Sequence, residues 1–144
     1  MNTAVMESML GGRRALGTSP ATPADWEALI RAGVPARSAD ALKASMVIGD
    51  ADLAALLGVS EKTLYRARTS HARLDAVASD RLYRVARIVA LAVEVLEDQS
   101  AALRWLARPQ IGLGGRTPLS LLTTEVGRDQ VESLLLRIEH GVYS

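Results

Sequence analysis

Catalysis or metal binding needs side chains that can ligate an ion, move a proton or attack a carbon, and this sequence holds few of them. It has no cysteine and two histidines, His71 and His140. They lie far apart, without the His-x-x-x-His spacing that sets two ligands on one side of a helix, so a zinc site would have to gather scattered carboxylates. Neither stands beside a recognisable serine-nucleophile motif. A lone histidine near a helix end more often meets the helix dipole as a charge, and His140 fits that role. The glycine-rich stretch IGLGGRTP, with Gly112, Gly114 and Gly115, is the one phosphate-cradle candidate. No Gly-Lys-Ser/Thr follows it and no strand precedes it, so it reads as a turn, with Thr117 capping a helix whose first turn holds Pro118. The expectation is a chain that is not an enzyme and carries no metal and no cofactor.

The stretch DLAALLGVSEKTLYRARTS is more informative. Two short helices that cross steeply need a small residue at the crossing, a turn residue that tolerates positive φ, and apolar side chains to lock the pair. Ala54, Gly58 and the set Leu53, Leu57, Val59 and Leu64 meet these needs in the right order. Ser60 caps the second helix, and Asp50 is expected to cap the first. This is a helix-turn-helix pattern. The outward side of its second helix carries Ser60, Lys62, Thr63 and Arg66, with Tyr65 and Arg68 on the flank. Arginine and lysine donate to guanine edges and phosphates, and short hydroxyls adapt to either, so Ser60, Lys62, Thr63, Arg66 and Arg68 are the DNA-contact candidates. The formal charge of the chain is only +1, yet Lys62, Arg66, Arg68, Arg73, Arg81, Arg84 and Arg87 face only Asp75 and Asp80 within residues 62–87. A local basic patch follows from that imbalance.

The elements that must position these residues are helical. Half of the 144 residues are apolar, chiefly alanine, leucine and valine, with no phenylalanine. That composition favours an all-α fold. Residues 1–23 include GGRRALGTSPATP and read as a flexible arm, and residues 24–77 hold the helix-turn-helix region. Residues 78–98 read as one long connecting helix. It is apolar on two sides, Leu82, Val85, Ala86, Val89, Val93 and Leu96 on one and Ile88, Leu91 and Val95 on the other. Such a helix is buried between partners, either within the fold or at a dimer interface, and a homodimer is the expectation. The N-terminus lacks the pattern of a signal peptide and no stretch is long enough to span a bilayer, which points to a soluble, cytoplasmic protein with no membrane partner.

The last helix, expected from about Arg128 to His140, docks through Val131, Leu134, Leu135 and Ile138. Leu136 lies off that stripe. Gly141 lets the chain turn out of the helix, and Val142 and Tyr143 follow at the tip, where chain ends are usually polar. An exposed leucine beside an apolar tip marks a contact surface.

Residues 104–144 closely resemble the toxin-binding domain of the Xre–MbcA–ParS antitoxin family. Trp105, Leu106, Pro109, Leu113-Gly114-Gly115, Thr117-Pro118-Leu119, Leu122, Thr124-Glu125, Gly127, Val131, Arg137-Ile138-Glu139 and Gly141 carry the likeness in one ungapped run. The upstream stretch resembles the Xre-like helix-turn-helix half of the same family. The resemblance implies an all-α chain whose residues 99–144 form a small helical toxin-binding domain. It implies a type II antitoxin that neutralises a RES-domain, NAD-depleting toxin and represses its own operon by binding operator DNA. Arg137, Glu139, Gly141, Val142 and Tyr143 are the toxin contacts it implies, the tip occluding the toxin's active site. A free-standing homodimeric regulator without a toxin is the rival reading, and a small ligand sensor using the glycine-rich loop a more distant one.

Overall fold

A computed structural model describes residues 3–141. Among them are ten α-helices and one 3-10 turn: α1 (Thr3–Met9), α2 (Gly12–Leu16), α3 (Pro23–Ala32), α4 (Ala36–Met46), α5 (Asp50–Leu57), α6 (Glu61–Thr69), α7 (Ala76–Leu96), α8 (Gln99–Ala107), the 3-10 turn Ile111–Leu113, α9 (Pro118–Leu121) and α10 (Glu125–Glu139). The only extended pairings among the described residues are single bridges, Pro35 with Arg73 and Gln110 with Arg116. None of these helices is long and apolar enough to cross a membrane. The chain divides into two compact units, with the boundary inside α7 after Ala86.

The first unit differs from expectation at its start. Residues 3–16 are not a loose arm: they form two short helices whose Met6, Met9, Leu10 and Leu16 are buried, and both helices pack on α4. Met6, Met9 and Leu10 recur at i, i+3, i+4, so α1 has an apolar side to bury even though its neighbours Gly11 and Gly12 look like linker chemistry. Gly11, at φ 90°, lies against Ala15 and Ala41, a close approach that only glycine permits there. Next, Thr22 and Asp25 form a reciprocal capping box at the start of α3: Thr22 Oγ1 accepts from the Asp25 N–H at 3.1 Å, and Asp25 Oδ2 accepts from the Thr22 N–H at 3.1 Å. The backbone amides of Ala21 and Thr22 hold the Asp25 carboxyl below its ordinary range. Trp26 of α3 packs on Tyr83 of α7, ring centroids 5.3 Å apart. The buried Ser79 hydroxyl accepts the Val34 N–H at 2.8 Å, satisfying a donor where the chain passes between α3 and α4.

The second unit is built on the C-terminal half of α7 and on α8 to α10. Asp98, Thr117 and Thr124 each cap the helix that follows, accepting from Ala101, Ser120 and Gly127 respectively. Consequently α10 begins at Glu125, three residues earlier than the apolar stripe alone indicates. Val131, Leu134 and Leu135 are buried and Ile138 half-buried, as their spacing requires. Arg128 is buried too, with Nη1 donating to the Leu122 carbonyl at 3.1 Å. Arg87 of α7 pairs with Glu132 of α10. Both apolar sides of α7 are covered within the single chain at Leu82, Val85, Ala86, Ile88 and Val89, while Leu91, Val93, Val95 and Leu96 stay half-exposed.

Gly127 sits in the first turn of α10 where a Cβ would fall on the Leu121 carbonyl and crowd the Thr124 hydroxyl. Gly→Ala in an open helix gains about 1 kcal/mol of propensity, but overpacking against backbone costs about 1–3 kcal/mol. The steric cost is the larger, so Gly127→Ala is expected to lower the unfolding free energy. A chemical-denaturation midpoint equal to or above that of the unsubstituted chain would contradict this.

Candidate functional site

The helix-turn-helix crossing forms as its small and apolar residues dictate. Leu53, Ala54, Leu57 and Leu64 are buried, and Gly58 ends α5 at φ 68° with its N–H returned to the Ala54 and Ala55 carbonyls. A Cβ at Gly58 would meet the guanidinium of Arg81, whose Nη1 donates to the Leu57 carbonyl at 3.3 Å. Arg81 is therefore a clamp over the turn. Ser60 Oγ caps α6, accepting from the Thr63 N–H at 3.0 Å and lying 2.9 Å from Thr63 Oγ1. Its hydroxyl is thus committed to the helix start, and Thr63 is tied to it.

Arg68 departs from the sequence-based expectation most clearly. Its Nε donates to Asp40 Oδ2 at 2.9 Å and its Nη2 to Asp40 Oδ1 at 2.7 Å, while Nη2 also reaches Asp50 Oδ1 at 2.9 Å. Lys43 Nζ meets Asp50 Oδ1 at 2.8 Å. The guanidinium is held between α4 and α5 instead of facing outward, and the two carboxylates raise its pKa further. The reason was visible in spacing: Arg68 lies one turn beyond the buried Leu64, on the inward side of α6. Asp50, expected to cap α5, is instead the first residue of that helix, after Gly49, with its side chain in this network.

The same holds along the basic run. Arg73 donates to the Gly33 carbonyl at 2.7 Å, Arg84 pairs with Asp80, and Arg87 with Glu132. Of the seven basic residues between positions 62 and 87, Lys62 and Arg66 remain exposed with no ion pair or side-chain hydrogen bond among the described residues. They share the outer side of α6 with Thr63 and Thr69, next to Tyr65, which is 62% exposed. The surface that can read an anion is narrower than the charge count implies.

In the second unit, α10 has two faces. The inner one docks. The outer one carries Val126, Asp129, Gln130, Ser133, Leu136 and Arg137, and with Gly112 and Leu113 it lines an open groove of about 680 Å³. Val126 is 70% exposed, Leu136 40%, and Ile111, beside the groove, 92%. Arg137 belongs to this groove; Glu139 is exposed but falls on the Glu132 side of the helix by its 100° spacing. Gly141 turns at φ 74°, the left-handed conformation expected of a residue just past a helix end. Val142 and Tyr143 lie outside the described residues. His71 and His140 are exposed in different units, each at the end of its helix.

Comparison with known proteins assigns both halves. Residues 25–87 match the antitoxin Xre-like helix-turn-helix domain, and residues 91–141 match the antitoxin Xre/MbcA/ParS C-terminal toxin-binding domain. The chain belongs to the Xre antitoxin family. Similar relatives are the Antitoxin Xre of Photorhabdus laumondii, 30% identical over 91% of this chain and 89% of the relative, and that of Yersinia enterocolitica, 38% identical over 67% and 66%. The Antitoxin Xre of Pseudomonas putida is 46% identical over a shorter stretch, 44% of this chain and 40% of the relative. The C-terminal match is described as a toxin-binding domain and the other as a helix-turn-helix domain, and neither description is catalytic. The helix pair α1–α2 lies ahead of the matched segments.

Arg68 first, then Lys43, hold the Asp50 carboxyl at about 2, below its ordinary 3.8. A carboxylate whose pKa is lower in the folded chain stabilises the fold fully above its unfolded value and loses that contribution as pH falls through the folded value. Unfolding midpoints in urea are expected to fall between pH 3.8 and about 2, and to fall less in Asp50→Asn. Equal acid sensitivity in the two chains would exclude this network as a source of stability.

Proposed function

We propose that this chain is a cytoplasmic antitoxin that neutralises a RES-type, NAD-depleting toxin through its C-terminal helix and tail, and represses its own operon through α6. The observation that carries the toxin half is the outer face of α10. Three large apolar residues, Ile111, Val126 and Leu136, are exposed along or beside one groove, inside the segment that matches a toxin-binding domain. An apolar centre with a polar rim is the anatomy of a protein interface. Arg137 lines that groove and supplies a charge for an acidic group of the toxin.

Beyond the turn at Gly141, Val142 and Tyr143 complete the proposed contact set with Arg137 and Glu139. Occlusion asks no chemistry of the antitoxin: a tail held by a capped helix covers a nucleotide pocket by volume alone, and a buried tyrosine anchor is typically worth about 2 kcal/mol or more to an interface. For the DNA half, Lys62, Thr63 and Arg66 are the reading residues, with Ser60 fixing the start of α6 and Arg68 its position. A homodimer is proposed to pair two such helices on a palindromic operator.

Deleting residues 142–144, or replacing Leu136 by Asp, is expected to weaken rescue of cells that co-express the toxin while leaving the melting temperature unchanged. Full rescue by both variants would remove the groove and tail from the inhibitory contact. Separately, Arg66→Ala is expected to weaken operator binding by about 1–3 kcal/mol without loss of neutralisation. Undiminished operator affinity, measured by fluorescence anisotropy, would take Arg66 out of the DNA interface.

A further inference from the structure

Ile111 is the most exposed of the large apolar side chains among the described residues, at 92%, and the turn that carries it is held from several directions. The Gln110 N–H donates to the Arg116 carbonyl at 3.1 Å, and the Gln110 carbonyl accepts from the Leu113 and Gly115 amides, each at 3.0 Å. Gln110 Nε2 donates to the Trp105 carbonyl at 3.0 Å, which fixes the turn to the end of α8. On the other arm, Arg116 Nε donates to the Leu113 carbonyl at 2.8 Å and Nη2 to Gln130 Oε1 of α10 at 3.0 Å. Leu113 anchors the turn from below, only 3% exposed. So bound, the turn holds Ile111 outward.

Joining α8 to α9 requires the glycines at 114 and 115, both at positive φ, and the buried Leu113, but it makes no demand on position 111. A branched apolar side chain there adds nothing to the core, and its burial against another molecule would stabilise a complex. Because the backbone is ordered before contact, little conformational entropy is lost on docking. The next two residues, Gly112 and Leu113, line the groove on α10 that includes Val126 and Leu136, so Ile111 adjoins that surface. Charge indicates what covers it. No acidic residue lies between Asp98 and Glu125, whereas Arg104, Arg108 and Arg116 do. A second copy of the chain would set these arginines against their own counterparts; a different protein with an apolar socket and an acidic rim fits better. The turn lies inside residues 91–141, the segment that matches a toxin-binding domain, which points to the toxin as that protein.

We propose that the turn at Ile111 is a preformed knob that seats in an apolar, acid-rimmed socket of the toxin, supplying binding strength and partner choice separately from the tail that closes the toxin's pocket. The inference rests on the toxin-binding reading above and divides that contact into an anchor and a plug. Ile111→Asp and the conservative Ile111→Val are made in the full chain, and because the side chain is 92% exposed both are expected to keep the melting temperature. Affinity for the toxin encoded beside this gene is measured by calorimetry, and inhibition by that toxin's NAD⁺ consumption with the chain at saturation. Ile111→Asp is expected to weaken binding by roughly tenfold or more, and Ile111→Val, one methylene shorter, by about fourfold at most. At saturation Ile111→Asp still inhibits fully, whereas deletion of residues 142–144 leaves residual NAD⁺ consumption. Unchanged affinity in Ile111→Asp, with the deletion still impaired, would overturn the knob and leave the tail reading standing. Residual toxin activity under saturating Ile111→Asp would overturn the division between anchor and plug. A shift in the chain's own oligomeric mass with toxin affinity unchanged, seen by light scattering, would overturn the proposal in favour of a second copy. If the unsubstituted chain does not bind the toxin, the toxin-binding reading fails and takes this one with it.

Discussion

One guanidinium holds the helix-turn-helix in its shape. Arg68, on α6, is forked onto Asp40 of α4 and reaches Asp50 at the start of α5, and Lys43 completes the charge balance from α4. Three helices meet at this point, and because α6 itself buries only Leu64, the fork adds a fixed direction to the apolar crossing. A planar fork fixes direction as well as distance, which a lysine at the same place would not do. The network is partly open to solvent, so its main effect is to set where α6 points, with a modest share of the total stability. Lys62 and Arg66 face outward because Arg68 faces in.

Helix positions and the crossing were legible in the sequence because they depend on local signals: Ser60, Thr117 and Gly58 act within one turn of themselves. The family likeness added the expectation of two functional parts, and the chain matches a helix-turn-helix segment and a toxin-binding segment of that family. What local signals could not carry were long-range pairings. Asp40 is 28 residues from Arg68, and no spacing rule links an acid on one helix to an arginine two helices later. The basic run from Lys62 to Arg87 likewise looked like one patch, yet most of it is turned to carbonyls and carboxylates that only the folded chain brings near. The N-terminal pair was hidden for another reason. Glycines at 11, 12 and 17 bracket α2, and that punctuation outweighed the Met6, Met9 and Leu10 stripe beside it.

The C-terminal unit follows a different logic. Its helices are short and each depends on a side-chain cap, so local sequence sets their starts closely. The contact of Gly127 with Leu121 then fixes how α10 leaves the turn after α9. With that helix docked through its inner face, the residues left over on the outer face are the ones available to a partner, and they include Val126 and Leu136. The groove is a by-product of how α10 docks, which explains why spacing alone gave Leu136 as off the stripe but did not reveal Val126 or Ile111 beside it.

The long helix α7 gives core side chains to both compact units, Leu82 and Val85 to one and Ile88 and Val89 to the other. Opening near Leu82 and Val85 disturbs the core of one unit and opening near Ile88 and Val89 the core of the other, whereas fraying at Ala76 or Leu96 disturbs neither core. The middle of the helix is therefore where deuterium enters last. A denaturant titration followed at those amides reports the opening of each unit's core from within one helix.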